Sequence, residues 1–123
     1  MRCVPFAILM AVTCDARKKD WEPFRARAVA LVQAAAESDS AGLRELVGNS
    51  DVSNRIEVIR RTEPALLSAA TGLHIRWGHK VSPDTTYVSF SFPYRGDSEV
   101  MDVGFVNQGG RWRAYYLGFP NRM

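Results

Sequence analysis

Two histidines and a few carboxylates are the side chains of this sequence best suited to acid–base chemistry. From Leu73 onward apolar and polar residues alternate, as they do in β-strands. In this alternation His79 and Glu99 fall on the same side, so both are predicted to lie on one face of a sheet. A meander of consecutive strands would separate them by about six residues, which is roughly 20 Å at 3.3 Å per residue. Acid–base partners need a separation of about 3 Å or one bridging water. We therefore predict no catalytic pair here.

Metal and cofactor chemistry finds little support in the residue pattern. His74 and His79 have opposite parity, so one regular strand cannot direct both to a single metal ion. His74 shares its face with Asp102 and Arg113, a set that we interpret as a polar sheet surface. Beyond Cys14 the sequence contains no cysteine, no Gly-x-Ser-x-Gly elbow and no glycine-rich phosphate loop. We expect no metal site and no cofactor.

Aromatic side chains are the remaining candidates for ligand binding. An apolar pocket for a lipid-like or aromatic ligand would be lined by Trp77, His79, Phe90, Phe105, Trp112 and Tyr116. A filled core beneath the first helix is the alternative use of these rings. Tyrosine and arginine are enriched at interface hot spots, so a protein-binding surface would comprise Arg76, Tyr87, Arg113 and Tyr115.

The first half of the body is predicted to be helical. Asp20 is a candidate N-cap, and apolar residues recur every three or four positions from Trp21 to Ala35. Cap and stop residues then divide the following segment into shorter helices. The predicted helices cover 21–37, a short segment after Ser38-Asp39-Ser40 that ends at Gly48, 53–61, and a segment from Thr62 to Gly72.

From Leu73 onward the apolar period changes to two, which predicts four strands with Gly109 and Gly110 in the last hairpin turn. The apolar face is predicted to carry Leu73, Ile75, Trp77, His79, Val88, Phe90, Phe92, Met101, Val103, Phe105, Trp112, Ala114 and Tyr116. The more polar face is predicted to carry His74, Arg76, Gly78, Lys80, Tyr87, Ser89, Ser91, Asp102, Gly104, Val106, Arg113, Tyr115 and Leu117. The core is predicted to contain Leu31, Val88, Phe90, Val103, Phe105 and Trp112.

A long amphipathic helix, short helices and an antiparallel meander ending in Gly-Arg-Trp-Arg-Ala-Tyr-Tyr resemble the nuclear transport factor 2-like superfamily over most of residues 20–119. The resemblance implies an α+β fold with N-terminal helices packed on a curved four-stranded antiparallel sheet, a cone-shaped roll. Members range from isomerases and dehydratases to non-catalytic binding and assembly modules. The fold alone therefore leaves the function open.

The N-terminus resembles the leader of a bacterial lipoprotein, because Arg2 and the apolar run 4–12 precede Cys14. This run is shorter than the roughly 20 residues that span a membrane. The resemblance implies a signal peptide over 1–13, a lipidated Cys14 with a tether over 14–19, and one domain over 20–123. An ordinary cleaved secretory signal and an uncleaved apolar strand or helix are the alternatives.

The net charge of +3, from 16 basic and 13 acidic residues, does not indicate a nucleic-acid partner. We expect a non-catalytic binding or accessory module of the bacterial cell envelope, membrane-anchored and facing the periplasm. Its partners would be the membrane, through the lipid anchor, and an envelope protein or a small apolar ligand. The alternative function is a small-molecule isomerase or hydrolase with a pocket inside the cone, approached by a helix carboxylate such as Glu45. Without lipoprotein processing, the protein would be secreted or cytoplasmic.

Overall fold

A computed structural model describes residues 18–122 of the 123-residue chain. The predicted signal peptide, Cys14 and the first part of the tether lie outside the described residues. The described chain has an α+β fold, with helices followed by a four-stranded antiparallel sheet. The helices are α1 Lys18–Ala36, α2 Ser40–Leu46, α3 Ser50–Thr62 and α4 Pro64–Ala69, followed by a 3-10 turn Ala70–Gly72. The strands are β1 His74–Ser82, β2 Thr85–Tyr94, β3 Asp97–Gln108 and β4 Arg111–Gly118.

Helix α1 provides the apolar stripe that covers the sheet. Its buried residues Ala28, Leu31 and Ala35 recur at three- and four-residue spacing, as the sequence predicts. The helix begins at Lys18 rather than at residue 21, so Asp20 lies in its first turn instead of at the N-cap. A carboxylate in the first turn still interacts favourably with the helix dipole. Across residues 18–122, no helix is both long and apolar enough to cross a membrane.

The two helices that follow begin at side-chain caps. The Gly42 N–H donates to Asp39 Oδ1 at 3.0 Å, and the Val52 N–H donates to Asn49 Oδ1 at 3.0 Å. The Asn49 cap starts α3 at Ser50, three residues earlier than the sequence prediction. Each cap pairs one of the free N–H groups that begin a helix.

The sheet has the simple order β1-β2-β3-β4, with antiparallel neighbours throughout. Strands β2 and β3 pair without interruption from Thr85↔Val106 to Tyr94↔Asp97. The residues Pro93 to Ser98 favour a loop before the third strand, and this prediction is wrong, since only Arg95 and Gly96 form the turn, both at positive φ. Gly109 and Gly110 occupy the β3–β4 turn at positive φ, which confirms the predicted hairpin.

The core lies between the sheet and the helices. Val88, Phe90, Val103, Phe105 and Leu31 are buried, as predicted from their spacing. Trp112 is partly buried against the same cluster. Phe24 of α1 joins this cluster, with its ring centroid 5.3 Å from that of Phe105 and 4.9 Å from that of Trp112. These rings fill the space beneath α1, which confirms the predicted burial of Phe105, while Trp112 is buried only in part.

Two of the three β-bulges change which of the predicted side chains face the core, and the third lies between Lys80 and Ser82 at the end of β1. In β1, Ile75 pairs with Phe90 but Trp77 pairs with Ser89, so Arg76 is the extra residue. In β4 the extra residue is Tyr115, because the pairs on either side of it join Phe105 to Ala114 and Gly104 to Tyr116. An extra residue shifts every later side chain to the other face. The predicted faces are therefore wrong beyond each bulge. The side away from the helices carries Trp77, His79 and Tyr116, and the helix side carries Gly78, Lys80 and Leu117.

The outer edge of β4 is covered by the α2–α3 connection. Val47 forms a parallel bridge with Ala114, and the Gly48 N–H donates to the Ala114 carbonyl at 2.7 Å. The Asn49 side-chain amide donates to the Tyr115 carbonyl at 3.0 Å. Strand β1 forms the opposite edge of the sheet. Most of its residues are exposed and the others are partly buried.

The C-terminal tail is held against the helices by charged groups. Arg122 pairs with Glu63, which precedes α4, and its Nη1 lies 3.3 Å from Glu99 Oε1. The Tyr94 hydroxyl donates to Glu63 Oε2 at 2.6 Å. The pKa of Glu63 lies below its ordinary value. The hydrogen bond from Tyr94 is the largest cause, and the contact with Arg122 acts in the same direction. This cluster links β2, β3, α4 and the tail.

Candidate functional site

The six residues predicted to line one apolar pocket do not lie together. Three of them belong to the core face of the sheet: Phe90, Phe105 and Trp112. The other three lie on the face away from the helices, which we call the open face: Trp77, His79 and Tyr116. The bulges at Arg76 and Tyr115 are the physical reason for this separation. The single pocket predicted from strand parity is therefore not formed.

Trp77, Tyr87 and Tyr116 instead form a row of stacked rings across the open face, which we call the aromatic row. The ring centroids of Trp77 and Tyr87 are 6.2 Å apart at an interplanar angle of 19°. Those of Tyr87 and Tyr116 are 5.6 Å apart at 28°. Aromatic pairs at such distances contribute about 0.5–1.5 kcal/mol beyond area burial. Trp77 and Tyr116 nevertheless remain 45% and 46% exposed.

Two glycines provide the space that the row requires. Tyr87 and Tyr116 flank Gly104 in register, and strands two apart are separated by about 10 Å. A Cβ at Gly104 would lie 3.1 Å from Tyr116 Cβ and 3.3 Å from Tyr87 Cδ1. A Cβ at Gly118 would lie 2.4 Å from the Tyr116 hydroxyl oxygen. The two tyrosine rings can therefore meet above β3 because neither glycine carries a side chain.

A hydrogen-bonded polar chain runs beside the aromatic row. Arg76 Nη1 donates to Ser89 Oγ at 2.8 Å, and Ser89 Oγ donates to Asp102 Oδ1 at 2.5 Å. Ser89 is fully buried although it lies on the open face, and it pairs in register with Trp77. Its hydroxyl both accepts and donates, so its burial costs little. The chain places a guanidinium and a carboxylate along one side of the rings.

The row's central ring is neutral over an unusually wide pH range. Burial raises the pKa of Tyr87 from 10.0 to about 12, and the phenol of Tyr116 and the charge of Asp102 act in the same direction. At physiological pH, Tyr87 is therefore a neutral phenol that can donate a hydrogen bond. It does not have the lowered pKa that a tyrosine base would need.

His79 and Glu99 are separated by the sheet, as their sequence distance indicates. His79 pairs with Tyr87 and Glu99 pairs with Phe92, five residues farther along β2, which is roughly 17 Å. Their predicted common face is wrong, because the bulge at Arg76 moves His79 to the open face while Glu99 stays on the helix side. They form no acid–base pair.

His74, Asp102 and Arg113 share the open face, as predicted. They do not form a cluster, because Asp102 pairs with Ser89 while Arg113 lies opposite Val106, four residues away along β3. That separation is roughly 13 Å. The interpretation of these residues as a polar sheet surface agrees with this arrangement.

The predicted protein-binding surface also divides into two parts. Arg76 and Tyr87 lie at the aromatic row. The Tyr115 ring instead packs over Gly48, where an added Cβ would lie 2.0 Å from Cε1 of that ring. Arg113 lies in the same strand, beside the α2–α3 connection. Tyr115 therefore covers the edge of β4, and Tyr116 takes its predicted place on the open face.

Two grooves flank the edge of β4. The first, which we call the α3–β4 groove, has a volume of about 500 Å³ and is lined by residues that include Asp51, Arg55, Val58, Tyr115, Tyr116 and Leu117. The second, the α2–α3 groove, has a volume of about 480 Å³ and is lined by residues that include Ser40, Arg44, Gly48, Ser50, Ser53 and Arg113. Tyr116 connects the aromatic row to the first groove.

Residues 18–122 contain no group of three or more His, Cys, Asp or Glu side chains placed to hold a metal ion. Comparison of the chain with protein-family models, curated proteins and solved structures found no match.

Sequence reasoning missed the aromatic row because it assumed regular strands. Gly78 carries a signal that could have revealed the bulge in β1. It faces α1, where an added Cβ would lie 2.4 Å from the Trp21 ring. A glycine inside a strand often marks a bulge or a close approach of another element. Had Gly78 been placed on the helix side, Trp77 and His79 would have been predicted on the open face.

Proposed function

We propose that this protein is a non-catalytic binding module whose open sheet face contacts a protein partner through the aromatic row. The exposure of Trp77 and Tyr116, each close to one half, is the observation that carries the proposal. Tryptophan, tyrosine and arginine dominate the binding energy of protein interfaces. Arg76 lies beside the row, where the Ser89 hydroxyl already holds one end of its guanidinium.

The row is also preorganised for binding. Stacking on Tyr87 restricts the rings of Trp77 and Tyr116 before any partner arrives. Less side-chain entropy is then lost on association, and such losses amount to about 0.5–1.5 kcal/mol for each immobilised side chain. The two flanking rings therefore offer apolar area at a reduced entropic cost.

The proposal includes the cone-shaped roll of the nuclear transport factor 2-like superfamily. Helices that precede an antiparallel meander support it, and so do the bulges at Arg76 and Tyr115, because bulges bend and twist a strand. Within that superfamily, a core filled by Phe90 and Phe105 is better suited to a binding module than to an enzyme with an internal pocket.

The proposed address is the periplasmic side of a bacterial membrane, with Cys14 as the lipidated residue. The basic and apolar leader that precedes Cys14 supports this address. In cells fed a palmitate analogue, we expect label to enter the wild-type chain and to be absent from Cys14→Ser. Cys14→Ser should also appear in the soluble fraction. Equal labelling of both chains would contradict the anchor.

The open-face proposal is tested by quantitative capture from solubilised envelopes. We expect Trp77→Ala combined with Tyr116→Ala to weaken binding of the captured partner by at least about tenfold, because single hot-spot residues contribute roughly 2 kcal/mol or more. Val81→Ala is the matched control, since Val81 is 58% exposed on β1 and lies outside the row. Circular dichroism checks that each variant is folded. If a partner bound by the wild type is retained equally by the double variant, the aromatic row is not its binding surface.

A small-molecule isomerase or hydrolase is the second candidate, and one observation favours it. The α3–β4 groove has Tyr116 and Asp51 among its lining residues, and its volume of about 500 Å³ is within the usual size range of ligand sites. This groove lies at the edge of the sheet, not inside the cone. Turnover of a defined substrate that Asp51→Asn abolishes without loss of folding would establish this candidate in place of the binding module.

A further inference from the structure

We infer that the α2–α3 groove is a binding site for a phosphate group. The groove lies between the end of α2, the start of α3 and strand β4, away from the aromatic row. Its volume of about 480 Å³ is sufficient for a small phosphorylated molecule or a lipid headgroup. Neither the open-face proposal nor the lipid anchor is needed for this inference.

Arg113 provides the first argument. Its Nε is buried and has no hydrogen-bond partner within the described part of the chain. A buried donor without an acceptor costs about 1–3 kcal/mol, and more for a charged group. No carboxylate of the described residues pairs with Arg113 either, so its positive charge is uncompensated and favours an anion nearby. Arg113 lines the groove, so its guanidinium group can attract an anion that enters there.

Arg44 provides a second positive charge in the same groove. It lies in the last turn of α2, and residues 18–122 offer it no ion pair within 4.0 Å. Five other arginines of the described residues are paired, for example Arg111 with Glu45 and Arg60 with Glu57, whereas Arg27, Arg55, Arg76 and Arg95 also have no ion pair. Two unpaired guanidinium groups therefore line one cavity.

The remaining lining residues complement an anion. They include Ser40, Ser50 and Ser53, whose hydroxyls can donate, and no carboxylate. The neighbouring α3–β4 groove differs in this respect, because Asp51 lies in it together with Arg55. Guanidinium groups match the geometry of phosphate oxygens through paired N–H donors. The charge of the α2–α3 groove thus selects an anion.

The arginines account for this attraction without the helix terminus. The first turn of α3 is already capped, since Asn49 Oδ1 accepts from the Val52 N–H at 3.0 Å. Substitution of the arginines should therefore remove binding even though α3 is unchanged. This expectation distinguishes the inferred site from general anion attraction by a helix N-terminus.

The test measures binding of inorganic phosphate to the full chain by calorimetry, and binding to vesicles of phosphatidylglycerol in a parallel experiment. We expect Arg44→Gln and Arg113→Gln each to weaken binding about tenfold or more, because a charge-assisted hydrogen bond contributes about 1.5–3 kcal/mol. Arg55→Gln is the matched control, since it removes the same charge from the neighbouring groove. Arg44 is exposed on α2, so its variant should fold even if Arg113→Gln does not.

The two experiments distinguish the source of the phosphate. Arginine-dependent binding of inorganic phosphate indicates a free phosphorylated molecule. Arginine-dependent binding of vesicles without binding of inorganic phosphate indicates a lipid headgroup. Absence of binding to either probe, or equal losses in Arg44→Gln and Arg55→Gln, would overturn the inference.

Discussion

Tyr87 shows how neighbouring residues determine the chemistry of one side chain. Its ring stacks between Trp77 and Tyr116 above Gly104, and this burial raises the pKa of its phenol to about 12. A phenol held neutral in this way serves packing and hydrogen bonding. The raised pKa also makes the folded state sensitive to alkaline pH.

We predict that Tyr87→Phe removes part of the alkaline loss of stability. Because the pKa of Tyr87 is about 12 when folded and near 10.0 when unfolded, the native state retains a proton that the unfolded state loses. The contribution of the protonated Tyr87 phenol to stability is complete below pH 10 and is lost as the pH rises through 12. Urea unfolding at pH 9 and pH 12 measures the loss in each chain. Equal losses in the wild type and Tyr87→Phe would show that Tyr87 is not the titrating group.

At the scale of elements, the edge of β4 is closed by the α2–α3 connection. Val47 pairs with Ala114, and the Tyr115 ring packs over Gly48. The bulge frees Tyr115 from the regular alternation of β4, so its ring can cover the connection while Tyr116 joins the aromatic row. A single extra residue thus serves both the edge and the open face.

We predict that Gly48→Ala destabilises the fold by about 1–3 kcal/mol, the usual cost of overpacking. The new methyl group would lie 2.0 Å from the Tyr115 ring, which must then move. Gly72→Ala is the control, because a Cβ there has no neighbour within 4 Å and the backbone is compatible with alanine. Equilibrium urea unfolding compares the two. A similar effect of both substitutions would mean that Tyr115 does not pack against Gly48.

For the whole molecule, the two faces of the sheet differ in how far their aromatic side chains are exposed. Phe90 and Phe105 lie on the face beneath α1 and are almost fully buried. Trp77 and Tyr116 lie on the open face and remain about half exposed. The core face provides stability, and the open face is the surface that we propose for binding.

We predict that Phe90→Ala costs about 3–5 kcal/mol in the free energy of unfolding, the usual range for a buried phenylalanine. Trp77→Ala should cost less, about 1–2 kcal/mol, because its ring is 45% exposed and the main loss is the stacking contact with Tyr87. Both values follow from urea unfolding at neutral pH, which compares the two faces in one experiment. A loss below about 1 kcal/mol for Phe90→Ala would invert the assignment of the faces. A loss of about 3–5 kcal/mol for Trp77→Ala would do the same.

The sequence by itself determined the order of elements and the core of the two central strands. Helical spacing from Trp21 to Ala35 and the alternation of Val88 and Phe90 identified the residues that must leave water. Paired glycines at 109 and 110 identified the last turn, since few other residues adopt positive φ. These features depend on local periodicity and backbone preference, which a single chain displays directly.

The tertiary structure alone decided which aromatic residues reach the open face. The alternation of residues around Arg76 and Tyr115 is compatible with a regular strand, and apart from the glycine at position 78 the bulges are visible only in the pairing with a neighbouring strand. One inserted residue reverses every side chain beyond it. Trp77 and Tyr116 therefore moved from a predicted pocket to the aromatic row, because strand pairing, and not local sequence, sets the register of a sheet.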